Sequence, residues 1–420
     1  MAAETTILPE QLFRRDAPLL VAALTRIFGV HNLALAEDVV QDAFGRALTL
    51  WQERGVPDNP SAWLMAAAKN RALDVLRRER TARRFAPELG RLLETEWTLA
   101  PLLDEAFQVD TIRDEQLRMM FSCCHPRLPE AAQIALILNI LCGFGAAEIA
   151  AALLTGRAAI EKRIARGKKV LSSAVRLFDL GAEDFAARLS TVQRALYLLF
   201  NEGYHGASSE AAIRTPLCEE AIRLTTLLRA HAPAATPSSS ALLALMWLHA
   251  ARLPARVDSS GNLREFVEQD RSRWDRALIA RGLELFEASA AGDELSTYHL
   301  EAAIAAVHAA ARSAEATDWP AIVGLYDRLL QLAPTPVVAL NRAIAVGQRD
   351  GPARGIEALH AIHDRERLDD YPFYPAALGE FELRRGDLSA ARQLFLRALQ
   401  LARNPAERNF LRKRAQSCSD

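Results

Sequence analysis

Apolar residues recur along almost the whole chain at intervals of three and four, the spacing that lines one face of an α-helix. Period-two runs of β-branched residues are absent, so the pattern predicts an all-α protein. Residues 36–51, AEDVVQDAFGRALTLW, place Val39, Val40, Phe44, Leu48 and Trp51 on an apolar side. Glu37, Asp38, Gln41 and Asp42 fall on the opposite side. Residues 60–80, PSAWLMAAAKNRALDVLRRER, open at Pro60-Ser61-Ala62 with Ser61 near the N-cap. This helix turns Trp63, Leu64, Ala67, Leu73 and Leu76 inward. It leaves Lys69, Asn70, Arg71, Asp74, Arg77 and Arg78 for the outer faces. Residues 143–171, GFGAAEIAAALLTGRAAIEKRIARGKKVL, break at Leu154-Thr155-Gly156 between two helical segments. In the second segment Ile160 and Ile164 share an inward face, and Arg157, Lys162, Arg163, Arg166, Lys168 and Lys169 take most of the rest. Further breaks are expected at 55–60, 86–101, 126–129, 180–184, 232–240, 258–261, 333–336, 350–352 and 371–375. The apolar runs that start at Ile134 and Ala241 are too short to span a bilayer and read as buried helices.

Charge changes this picture locally rather than globally. The 420 residues sum to a net charge of −1, so any affinity for nucleic acid must come from patches. Residues 69–84 hold seven basic and two acidic side chains, and residues 88–115 hold two basic and eight acidic. Residues 157–169 return to six basic against the single Glu161. A chain of this length implies two or three domains. The cysteines at 123, 124, 142, 218 and 418 form no CxxC pair and read as reduced thiols of a cytoplasmic protein. The N-terminal segment has no signal-peptide core, and no membrane association is expected. Cys123, Cys124 and His125 lack a fourth ligand at normal spacing, so no metal site is assigned. Pro126 and Pro129 instead shape a bend.

Two short helices across a tight turn, the second basic, form the helix-turn-helix arrangement that lays a recognition helix in the major groove. The tryptophan, amide and basic groups of residues 63–78 can neutralise phosphates and stack on or read an unpaired base; Trp63 fits a core position as well. The acidic face of residues 37–42 disfavours DNA and suits a protein partner. Taken in order, these blocks resemble a bacterial sigma factor of the sigma-70 family, extracytoplasmic-function type. The resemblance implies region 2 at 10–84, an acidic linker at 85–112 and region 4 at 113–178. It implies that Asp38, Gln41, Asp42 and Phe44 dock on the polymerase clamp. It assigns Trp63, Lys69, Asn70, Arg71, Asp74, Arg77 and Arg78 to the promoter −10 element. Arg157, Lys162, Arg163, Arg166, Lys168 and Lys169 fall to the −35 element. The implied partners are core RNA polymerase, at its clamp and flap, and promoter DNA, with no cofactor. The turn departs from the family pattern, with Leu154 where a glycine is usual and Gly156 where a capping Ser or Thr is usual.

The remaining 240 residues carry an internal repeat. DWPAIVGLYDRLLQLAPTP from Asp318 matches DLSAARQLFLRALQLARNP from Asp387, an offset of 69 residues, about two tetratricopeptide units. Tyr326 pairs with Phe395, Leu330 with Leu399 and Pro336 with Pro405. RDGPARGIEAL from Arg349 and RRGDLSAARQL from Arg384 are offset by 35. Residues 185–418 are therefore expected to be a tetratricopeptide-like helical extension, and the whole resembles the sigma subgroup that carries one. Regulation in cis is what that resemblance implies. Asn201, Glu202 and Tyr204 in LFNEGYHG, with Asp270, Arg271 and Trp274 in EQDRSRWDR, are candidate contacts for the sigma core or for a protein or small-molecule ligand. No nucleophile accompanies Glu202 and His205, so no enzyme is expected. The competing reading is an autonomous helix-turn-helix regulator with a repeat-type sensor domain, which leaves the acidic helix and linker unexplained.

Overall fold

The helical periodicity is realised as nineteen α-helices in the described residues of the computed structural model; the only β feature among them is an isolated bridge between Val257 and Leu263. The structure describes residues 2–28, 32–82, 109–153, 155–173, 182–205, 213–258, 263–402 and 404–418. Most of the expected acidic linker lies outside them. Spatial proximity divides the chain into two units, residues 1–199 and 200–420.

The first unit starts with α1 (Ala2–Phe28), α2 (Leu33–Arg54) and α3 (Pro60–Ala82). These pack on one another, and α1 also packs on α4 (Val109–Cys123). Leu20, Leu24 and Phe28 of α1 meet this core with Val39, Val40 and Phe44 of α2 and with Leu64, Ala68 and Ala72 of α3. Then come α5 (Glu130–Leu136), α6 (Ala146–Ala152), α7 (Arg157–Ser172) and α8 (Ala182–His205). The apolar run at Ile134 is a helix, as its pattern predicts, but its second half widens into a π-turn over Ile137–Leu141. The amide of Asn139 closes that turn by donating to the carbonyl of Phe144 at 2.8 Å. At the bend before α5, Gln133 donates to the carbonyls of His125 and Leu128, satisfying backbone groups that Pro126 and Pro129 leave outside any helix. Cys123 and Cys124 are buried there, and burial pushes the Cys124 thiol up to about 12.

The second unit holds α9 (Thr215–Ala230), α10 (Pro237–Ala250), α11 (Leu253–Arg256), α12 (Arg276–Ser289) and α13 (Thr297–Ala310). Helix α10 is the apolar run at Ala241. It is buried on nearly all sides, packed by α9, α12 and α13. Six helices follow: α14 (Trp319–Leu332), α15 (Pro336–Asp350), α16 (Pro352–His360), α17 (Phe373–Arg385), α18 (Leu388–Leu401) and α19 (Pro405–Gln416). Each packs chiefly on the next, the nearest-neighbour stacking of a helical repeat. The repeat is written in caps as well as in core residues. Asp318 and Asp387, 69 apart, each accept from a backbone N–H three residues on, both at 2.9 Å. Thr335 and Asn404, again 69 apart, cap the following helices. Gly351 and Gly386, 35 apart, both adopt positive φ at a helix end, a conformation side chains disfavour. No described helix is long and apolar enough to cross a membrane.

Several local expectations need correction. Helices α10, α15, α16 and α17 begin inside expected breaks, because proline is tolerated in a first turn; α8 also begins inside one, with Glu183 and Asp184 in its first turn, where acids are favoured. Asn59 caps α3 in place of Ser61, accepting from Ala62 N at 3.0 Å, with Pro60 as the first helical residue. Leu48 is 47% exposed, and Ala47 takes its place in the core. The inward stripe of α3 is Leu64, Ala68, Ala72 and Val75. Trp63, Ala67 and Leu73 are half-buried at its edge, and Leu76 lies outside the described side chains.

Candidate nucleic-acid and polymerase interfaces

On α2, Asp38, Gln41 and Asp42 are exposed, one helical turn of polar surface. Phe44 is not on that surface. It is 5% exposed and meets Phe13 edge-on at 4.9 Å, so it belongs to the core and leaves the set of expected docking residues. Glu37, read from the sequence as exposed, is half-buried and accepts both oxygens' worth of contact from Lys168 Nζ, at 2.6 and 2.9 Å.

Helix α3 runs beside α2, with Trp51 and Trp63 edge-on at 5.5 Å. One indole edge of Trp63 is thereby used in packing, while the residue as a whole stays half-buried. Asn70 and Asp74 are exposed; Lys69 and Arg71 are half-buried. Arg77 and Arg78 continue α3, but their side chains lie outside the described residues. Arg71 Nε donates to Asp42 at 2.8 Å, which brings one residue expected on polymerase against one expected on DNA. Gln41, Asp42, Arg46 and Arg71 line a cavity of about 650 Å³ between the two helices. The two interfaces that the sequence separates therefore adjoin.

Helices α5 and α6 both pack on α7. The turn between α6 and α7 is closed by Thr155 N donating to Ala150 O at 2.9 Å. Glu148 accepts from Gly145 N at 2.9 Å and holds the start of α6. Gly156 enters α7 in an extended conformation without a side-chain cap. Leu154 lies outside the described residues. Ile160 and Leu171 are fully buried, while Ile164 is half-buried. Gly167, unremarked in the sequence, is buried between them: a Cβ there would stand 2.7 Å from a methyl of Leu136. The glycine thus sets how closely α7 approaches α5. Arg157, Lys162, Arg166 and Lys169 are exposed, and Arg163 is half-buried. Arg157 pairs with Glu161 at 2.8 Å, one turn away on the same helix. Lys168 is withdrawn from the basic face by Glu37.

A buried-faced helix carrying exposed cations, seated on a turn and two supporting helices, is the architecture of a major-groove reader. Comparison with known families agrees along the chain. Residues 12–82 match the model of sigma-70 region 2, and residues 118–171 match that of sigma-70 region 4. Residues 188–290 match a family of unknown function (DUF6596). The chain is 39% identical over 398 residues to "Uncharacterized protein R00370" of Rhizobium meliloti (strain 1021), covering 94% of this chain and 92% of that protein. This chain belongs to the sigma-70 family. It is an RNA polymerase sigma factor of the extracytoplasmic-function type with a helical C-terminal extension, and as such binds core RNA polymerase and promoter DNA.

In the extension of this sigma factor the two singled-out segments serve packing first. Glu202 is buried and paired with Arg214 at 2.6 Å. Gly203 lets α8 touch α9, since a Cβ there would lie 2.8 Å from Cys218. Asn201 is half-buried and Tyr204 is buried. Asp270 is exposed and accepts from Ser272. Arg271 donates to the carbonyls of His308 and Ala311, and Trp274 is 4% exposed.

Proposed function

We propose that this sigma factor divides promoter recognition between the two faces described above and that its extension regulates it in cis. Region 2 occupies residues 10–84 and region 4 residues 113–178, joined by the acidic linker 85–112, with the regulatory extension over 185–418. Asp38, Gln41 and Asp42 dock on the polymerase clamp. Asn70, Lys69, Arg71, Asp74 and the flanking Trp63, Arg77 and Arg78 act at the −10 element. Arg157, Lys162, Arg163, Arg166 and Lys169 act at the −35 element. Region 4 is oriented by the polymerase flap. The observation that carries this reading is the placement of exposed acids on α2 and exposed cations on α7: a carboxylate face repels phosphate, and a basic face attracts it.

The test is binding of core polymerase by the full-length protein. Asp38→Arg with Gln41→Arg should abolish capture of core while leaving the helical signal and melting point within the small range usual for exposed substitutions. Asp42 is left in place so that its pair with Arg71 persists. Unchanged core affinity in this folded variant would remove α2 from the interface.

A further inference from the structure

The extension collects three arginines in an aromatic nest, and none of them forms an ion pair with a carboxylate among the described residues. The guanidinium carbon of Arg252 lies 4.5 Å from the ring centre of Phe266 and 5.3 Å from that of Trp274. Arg271 stands 5.1 and 4.7 Å from the same two rings. Arg256 covers Tyr204 at 3.8 Å. Their hydrogen-bond partners are neutral. Arg252 reaches only the amide oxygen of Gln269, at 3.3 Å, and Arg271 Nη1 donates to two backbone carbonyls. Arg256 donates to the carbonyl of Tyr204 and meets His205 Nδ1 at 3.2 Å. Nearby acids are committed elsewhere. Asp270 binds Ser272, Asp275 caps α12, Glu265 faces Arg414 and Glu202 holds Arg214, while Glu315, whose charge Arg271 feels, is exposed and bonded to Ser313.

The same nest contains buried polar atoms without any partner: the Tyr204 hydroxyl, Trp274 Nε1, Arg271 Nη2, and Nδ1 of both His249 and His308. Tyr204 and Trp274 are 3% and 4% exposed. Buried polar atoms are almost always satisfied, so five in one cluster form a demand for a partner. Burial, reinforced by Arg252 and its arginine neighbours, pushes both histidines down to about 3, so both rings stay neutral beside the arginines. Stacking occupies the faces of guanidinium groups, so a further partner must come to their N–H edges in the plane, where Arg271 Nη2 has none.

We infer that this nest is a receptor for a small-molecule oxyanion, a carboxylate or phosphate group held by Arg252 and Arg271, with Trp274 Nε1–H and the Tyr204 hydroxyl as further donors. Charge-assisted hydrogen bonds to such a group satisfy the orphan donors and supply the missing counter-charge together. The site is built entirely in the second unit and stands whether or not the extension controls transcription.

Full-length protein should be titrated with inorganic phosphate and, separately, with succinate, each against chloride at matched concentration, following melting temperature and heat. One of the two should bind saturably and raise the melting temperature as a native-state ligand does. A response to phosphate alone assigns a phosphorylated ligand; a response to succinate alone assigns a carboxylate. Arg252→Gln should abolish the response. Tyr204→Phe keeps the ring and tests the donor even where loss of Arg252 impairs folding. It should weaken binding about tenfold, while the ligand-free melting temperature holds or rises, because an unpaired buried hydroxyl has been removed. The inference fails if neither anion exceeds chloride. It fails equally if Tyr204→Phe binds as the parent does, or if that variant lowers the ligand-free melting temperature.

Discussion

A methyl group added at Gly347 has nowhere to go. Phe381, 1% exposed, lies directly over it and over Gly355, where an added Cβ would come within 2.5 Å of the ring. The two glycines thus form the slot that lets α15 and α16 receive one phenylalanine from α17. Gly347→Ala should lower unfolding free energy by about 1–3 kcal/mol, the usual penalty of overpacking. Gly324, on the exposed side of α14 with nothing within 4 Å of its Cβ position, is the control. Gly324→Ala should stabilise by up to about 1 kcal/mol through helix propensity alone. Urea midpoints measure both, and shifts of the same sign would refute the packing argument. At this scale caps were partly legible. Asp318 and Asp387 were the repeat's first residues in the sequence. Glycine contacts such as Gly167 on Leu136 were not, because a missing side chain leaves no periodic signal.

Among elements, α3 and α7 differ in what they can offer DNA. Helix α7 presents several exposed cations, suited to closed duplex; α3 presents Asn70 beside half-buried Lys69 and Arg71. Arg166→Ala should weaken binding to closed promoter DNA by about 1–3 kcal/mol if it reads a base. Asn70→Ala should spare closed binding and reduce permanganate reactivity of the −10 region. Failure of both variants at the same step would end the division of labour. The sequence told which segments were helices and which of their faces were polar. It misjudged the rotation of α3, because Trp63 and Leu73 carry more hydrophobic signal than Ala68 and Ala72. Close packing of α3 on α1 and α2 selects the alanines instead. The periodicity put Phe44 on the apolar side of α2, where it is buried; only the family resemblance had counted it among the docking residues.

At the scale of the whole molecule, the place to separate sigma factor from extension is later than the break near Leu180. Phe185 packs edge-on against Phe121 at 4.6 Å, and Arg188 donates to the Phe121 carbonyl, so α8 begins as part of the first unit. A protein ending at Leu199 should keep core binding and change promoter output by about 5–150-fold, the range of ordinary coupling energies. Output equal to the full-length protein in transcription from a cognate promoter would make the extension a separately acting domain. No sequence pattern announced the contact between Lys168 and Glu37, 131 residues apart, since a single ion pair leaves no trace in periodicity. That contact makes a carboxylate and a DNA phosphate rivals for one ammonium. Each phosphate neutralised on a duplex displaces about 0.9 of a condensed counter-ion, and the logarithmic dependence of affinity on salt counts them. Glu37→Gln should therefore steepen that slope by about 0.9, tightening promoter binding at low ionic strength and converging with the parent at high. An unchanged slope would mean that Lys168 never reaches the backbone. A steeper slope would mean that in the native protein Glu37 holds one phosphate contact in reserve and makes promoter affinity less sensitive to the ionic strength around it.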